Sequence, residues 1–116
     1  MNIIFGNDPG LDSKHIVLEL DTIRIGVKGL EQTAYCVVEN IPFEEMPAVQ
    51  TFKELHATLM TEYRNRRWGE CDKIIAQLIG KWGGELDTFY AELRSRIDLL
   101  KTTALDDLWN GIIDRS

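Results

Sequence analysis

The run YRNRRWGEC, residues 63–71, sets Arg64, Arg66 and Arg67 between two aromatic rings, Tyr63 and Trp68. A guanidinium is a planar fork of donors that matches phosphate or carboxylate oxygens. Exposed rings interleaved with such forks are one way to hold single-stranded nucleic acid without reading its sequence. The run also has a plainer reading. Tyr63 closes one apolar helical stripe and Trp68 opens the next, so both rings belong to packed helix ends. The arginines then pair with acids or solvate the corner. We take the corner as the first reading. Arg64, Arg66 and Arg67 stand beside it as a candidate contact for an anionic partner, with nucleic-acid-associated regulation as the alternative function.

The remaining reactive residue types are sparse. His15 lies at a strand edge and His56 on a helix face, and neither has a histidine or cysteine at ligand spacing. Metal binding would need His15, His56, Cys36 and Cys71 to converge from four distant positions. Cys36 and Cys71 both fall on apolar faces and read as small core residues rather than as a disulfide. The acidic pairs Glu44–Glu45, Glu85–Asp87 and Asp106–Asp107 sit near helix starts, where carboxylates complement the helix dipole. GNDPG and KWGGE lack the spacing of phosphate-binding glycine loops. These observations favour a non-enzymatic protein with no cofactor and no metal.

The C-terminal LWNGIIDRS is different in kind. Leu108, Trp109, Ile112 and Ile113 form a short, strongly apolar segment that either docks on its own core or contacts another copy. They are the candidate self-association residues, and the expected partner is a second copy, as a dimer, or another protein.

Charge sharpens the choice of partner. The 116-residue chain carries a net charge of −6, which opposes sequence-independent binding along a phosphate backbone. The charge is uneven: residues 1–50 hold eight acids against three bases, whereas residues 63–82 hold five bases against two acids. No apolar run approaches the length of a membrane span. The start, MNIIFGNDPG, lacks the basic and apolar regions of a secretory signal. The expectation is a soluble cytoplasmic protein with no membrane partner.

The elements that must position these residues follow from the apolar period, which changes near residue 45. HIVLELDTIRIGV alternates, with Ile16, Leu18 and Leu20 on one face. After Asp21-Thr22 the phase flips, and Ile23, Ile25 and Val27 become the inward set. Such a flip requires a bulge or tight turn, because the strand period is two. GVKGLEQ reads as a loop, TAYCVVENI as a second strand, and NIIF as a possible third. Pro47 suits the first turn of a helix. Helical stripes then run through Val49, Phe52, His56, Leu59, Met60 and Tyr63. They continue through Trp68, Cys71, Ile74, Ile75, Leu78 and Trp82, then Leu86, Phe89, Tyr90, Leu93, Ile97 and Leu100. A last short helix is expected in ALDDLWNGII, capped by Thr102 or Thr103 with Asp106 behind. The fold class is α+β in one domain, 1–116. A small antiparallel sheet of two to three strands (1–45) precedes three to four helices packed as αα-hairpins (46–116).

Two resemblances accompany this reading. Trp68, Cys71, Ile75 and Leu78 stand in a pattern similar to the second helix of a tetratricopeptide unit. It covers one hairpin, with Leu78 larger than the pattern's small residue and no second copy behind it, so it implies shared packing rather than a repeat array. Over most of the chain, ELDT, TAYCVVE and GKWGGELDTFYAEL resemble small uncharacterised proteins of marine cyanobacterial phages and ocean sequence surveys. That resemblance implies an accessory protein of an infected bacterial cytoplasm, acting in assembly or host takeover.

Overall fold

Alternation in the first third of the chain produces three antiparallel strands: β1 (Asn2–Phe5), β2 (Ile16–Ile25) and β3 (Leu30–Val38). They belong to a computed structural model that describes residues 2–6, 15–25, 29–39, 41–105, 107 and 109–115. β3 lies between β1 and β2, and a short β4 (Ile113–Arg115) pairs in parallel with the other side of β2. The phase flip of the sequence has its physical counterpart here. The β2–β3 register shifts between Glu19 and Thr22, as a bulge demands. Before it, Leu18 lies opposite Cys36; after it, Ile23 lies opposite Gln32. Leu18, Leu20, Ala34, Cys36, Val37 and Val38 are the buried residues of these strands. Past the bulge the ladder is held by polar cross-strand pairs. The hydroxyls of Thr22 and Thr33 lie 2.8 Å apart, and Arg24 pairs with Glu31 at 3.0 Å.

Two expectations are corrected in this region. Leu30, Glu31 and Gln32, read as part of a loop, belong to β3, because Gly29 takes a left-handed backbone (φ 65) and turns the chain early. Ile113, read as part of a helix, belongs to β4. Val27 and residues 7–10 of the GNDPG turn lie outside the described residues.

The helical part begins with a 3₁₀ turn, Phe43–Ala48, that contains Pro47 and leads directly into α1 (Val49–Arg64). α2 (Trp68–Leu78) and α3 (Asp87–Leu100) follow. His56, Leu59, Met60 and Tyr63 of α1 are buried, as are Cys71, Ile74, Ile75 and Leu78 of α2 and Phe89, Tyr90, Leu93 and Ile97 of α3. The three stripes thus become three buried helix faces. Trp82 departs from its expected place: α2 ends at Leu78, Ile79 is extended, and Trp82 sits in the tight turn Trp82–Gly84.

The chain separates into two compact units. One comprises residues 1–39 and 111–116, the other residues 40–110. Neither Thr102 nor Thr103 caps a new helix. Both hydroxyls donate to the carbonyl of Leu99, at 3.0 and 2.8 Å, and close the C-terminus of α3 instead. Among the described residues no helix follows α3. The proposed cap partner Asp106 lies outside them.

Candidate functional site

The turn between α1 and α2 explains the crowding in YRNRRWGEC. The amide of Arg67 donates to the carbonyl of Glu62 at 2.9 Å, and that of Arg66 to Tyr63 at 3.1 Å. With Arg66 in the left-handed region (φ 63), this is the Schellman hydrogen-bond pair that ends many helices. Glycine usually holds that position, because a Cβ there costs on the order of 1 kcal/mol. An arginine therefore needs a reason in its side chain.

The reason is Trp109. The Arg66 guanidinium carbon lies 5.5 Å from the centre of the Trp109 ring, and its Nη2 donates to the Trp109 carbonyl at 3.4 Å. Trp109 completes a triad of edge-on rings: Tyr63–Trp68 at 5.9 Å, Tyr63–Trp109 at 5.4 Å and Trp68–Trp109 at 5.6 Å between centroids. Edge-to-face pairs of this kind contribute roughly 0.5–1.5 kcal/mol each beyond the area they bury. Tyr63 is buried, and Arg96 Nη1 donates to its hydroxyl at 3.5 Å. Trp68 and Trp109 keep part of their surface in solvent.

The three candidate arginines have different surroundings. Arg64 is partly buried, and that desolvation lowers its pKa. Arg66 is stacked on Trp109, whereas Arg67 is the most open of the corner's ion-paired groups, its side chain 65% exposed and 3.4 Å from Glu62. Of the self-association residues, Trp109 sits at the corner, Ile112 and Ile113 are half-buried, and Leu108 lies outside the described residues. Replacing Arg66 with glycine tests the trade. Arg66→Gly should change the unfolding free energy by less than about 1 kcal/mol, since relief of the left-handed backbone offsets the lost cation–π contact. Tryptophan emission should shift as Trp109 loosens; unchanged emission would mean that Arg66 does not hold that ring.

The other candidates have structural surroundings. His15 is exposed, whereas His56 is buried at 2% exposure with its Nδ1 2.9 Å from the Tyr90 hydroxyl. The Trp82 indole N–H donates to the same hydroxyl at 3.2 Å. Indole only donates, so the Tyr90 oxygen accepts there, and its own proton suits His56 Nδ1 in the neutral Nε2–H tautomer. Burial depresses the His56 pKa to about 4.

Both cysteines are buried free thiols. Burial, reinforced by Glu62 and Asp72, pushes the Cys71 thiol up to about 11, which keeps it protonated and unreactive. Two of the paired acids bind backbone amides of one loop: Glu45 Oε1 accepts from Trp82 N at 2.7 Å and Asp87 Oδ1 from Gly80 N at 2.8 Å. Glu44 and Asp107 are exposed, and Glu85 is half-buried. Among the described residues, no three His, Cys, Asp or Glu side chains come together in a way that could hold a metal ion. No helix among them is long and apolar enough to cross a membrane.

Sequence reasoning missed the joining of Trp109 to Tyr63 and Trp68, more than 40 residues apart, and the His56–Tyr90–Trp82 network. Comparison with protein-family models, curated proteins and solved structures found no match.

Proposed function

We propose that this protein is a non-enzymatic interaction or assembly factor that self-associates through its aromatic corner and C-terminal segment. The observation that carries the reading is the part-exposed pair Trp68 and Trp109, held edge-on against Tyr63 and backed by Arg66. Trp, Tyr and Arg dominate the energetics of protein interfaces, because each buries a large rigid surface and keeps a polar handle. A corner that fixes them in place before binding has already met much of the ordering cost of association. An accessory role of this kind is also what the phage-protein resemblance implies.

Light scattering on the full chain tests the proposal. The wild type should show a mass above one chain, and Trp109→Ala should return it toward one chain. Because Trp109 is only half-buried and lies outside the helices, circular dichroism of the variant should stay helical. A wild type that remains a single chain at every concentration would end the reading.

A further inference from the structure

The outer edge of β1 is the least guarded part of the sheet. β1 closes the strand order on one side and β4 on the other. An edge strand presents a row of open N–H and C=O groups, and charged residues or proline usually keep other strands from pairing there. β4 carries Asp114 and Arg115. β1, with the sequence Asn-Ile-Ile-Phe, carries neither charge nor proline. Ile3 is 50% exposed and Phe5 60% exposed. Standing two apart in a strand, they share one face.

The ladder fixes which backbone groups are open. In an antiparallel pair each residue directs its N–H and C=O to the same side, and that side alternates along the strand. Gly6 N donates to the Thr33 carbonyl at 3.0 Å, one step beyond the Phe5–Ala34 pair. Asn2 and Ile4 are in step with Gly6 and turn toward β3, so Ile3 and Phe5 turn their N–H and C=O groups outward. Among the described residues no strand meets them. Whatever seats here must be extended, with its own outward groups at the same two-residue spacing. It must also bring apolar side chains to Ile3 and Phe5. Neither β1 nor the Ala34–Val37 stretch paired with it holds a charged residue, so a charged strand would find no counter-charge. β1 itself meets every one of these conditions, and it does so in a chain whose net charge of −6 opposes self-contact at acidic surfaces.

We propose that β1 pairs with β1 of a second copy, antiparallel about a two-fold axis at Ile4, so that the two sheets join into one. Ile3 of each copy then exchanges both backbone hydrogen bonds with Phe5 of the other, and every outward group of the two residues is used. Ile4 faces Ile4, and the exposed Ile3 and Phe5 side chains cover one another on a single face. Shifting the register by one residue would set outward groups against inward ones and the two faces of the strand against each other. This surface is separate from the aromatic corner, which belongs to the helical unit. A chain that uses both contacts grows past a pair.

Sedimentation of the full chain, wild type against Ile3→Pro, tests the pairing. Proline removes an outward N–H and leaves the β1–β3 bonds intact, as edge strands allow, so circular dichroism should be unchanged. The variant should need at least about tenfold more protein to reach the wild-type mass, since each copy loses a donor to the other. Cross-linking tests the register without a proline. Ile4→Cys sets two thiols at facing positions that exchange no backbone bonds, about 4.5 Å apart at Cα, within reach of a disulfide. Mild oxidation should link it into a pair, whereas Ile3→Cys, which faces Phe5, should link far more slowly. Cys36 and Cys71 are buried and do not compete. Adding Trp109→Ala should leave the Ile4→Cys link in place, so edge and corner fail separately. No link at Ile4→Cys, or one equally fast at Ile3→Cys, overturns the inference. So does a mass indifferent to Ile3→Pro, which would leave the edge to a strand of another protein. A single-chain wild type removes both contacts.

Discussion

Lowering the pH from 6.5 to 4 should cost the folded protein about 3 kcal/mol through His56 alone. The imidazole is enclosed in the helical unit, 2% exposed, with Tyr90 and Phe89 as ring neighbours at 5.8 and 6.2 Å. Burial removes the water that would solvate an imidazolium, and its pKa falls from 6.5 to about 4. In the unfolded chain the ring titrates at its ordinary value. Between those two values the unfolded state binds a proton that the folded state refuses, so stability falls as the pH falls. The contribution is intact above about 6.5, declines through that window and is lost below about 4. Each pH unit is worth about 1.4 kcal/mol, which gives the total. Urea unfolding at a series of pH values, wild type against His56→Gln, isolates the term. Carboxylates titrate alike in both proteins, and the difference between the curves should change by about 3 kcal/mol across the window. A constant difference would mean that His56 carries no proton linkage.

That network also shows where sequence reasoning stops. The bulge in β2 was legible because a strand has a period of two, and Asp21-Thr22 breaks the phase of the Ile16, Leu18, Leu20 set. The helices were legible because each stripe holds its phase for three or more turns. Trp82 misled, since it stands four residues after Leu78 and so continues the stripe on paper. The helix stops first: Ile79 turns extended and, with Gly80 at φ 85, makes a type II turn closed by the Lys81 amide donating to the Leu78 carbonyl at 3.0 Å. β4 is three residues long, too short for any period to declare itself, and Ile112-Ile113 fits a helix face equally well. At the corner, the packing of Tyr63 and Trp68 followed from their places on two stripes. The stacking of Arg66 on Trp109 did not, because nothing local links residues 66 and 109. Exposure of Phe43 and Met46 was equally hidden: Pro47 and the two glutamates announced a helix start without saying which side chains it leaves in water.

Trp82→Ala should be the most damaging single substitution in the chain, with a loss of about 3–5 kcal/mol in unfolding free energy. Trp82 is fully buried, and its ring meets Phe52 edge-on at 5.8 Å and 72°. Its backbone is in the left-handed region, φ 58, a conformation that a bulky side chain adopts only when its surroundings impose it. Two hydrogen bonds impose it: Trp82 N to Glu45 Oε1 at 2.7 Å and the indole N–H to Tyr90 at 3.2 Å. Gly83 and Gly84 complete the turn at φ 63 and 80, where only glycine is unstrained. Alanine keeps the strain, since it still has a Cβ, and removes the packing that opposes it. Two milder variants separate the contributions. Trp82→Phe keeps a ring but withdraws the donor to Tyr90, at a cost of about 1–2 kcal/mol. Glu45→Ala leaves the ring and removes the charged acceptor of a part-buried amide, at about 1–3 kcal/mol. Because Glu45 also holds the 3₁₀ turn, its loss should loosen Phe43–Ala48 as well, whereas Trp82→Phe should leave that turn in place. Equal hydrogen-exchange protection of that turn in the two variants would mean that the Glu45–Trp82 bond does not hold it.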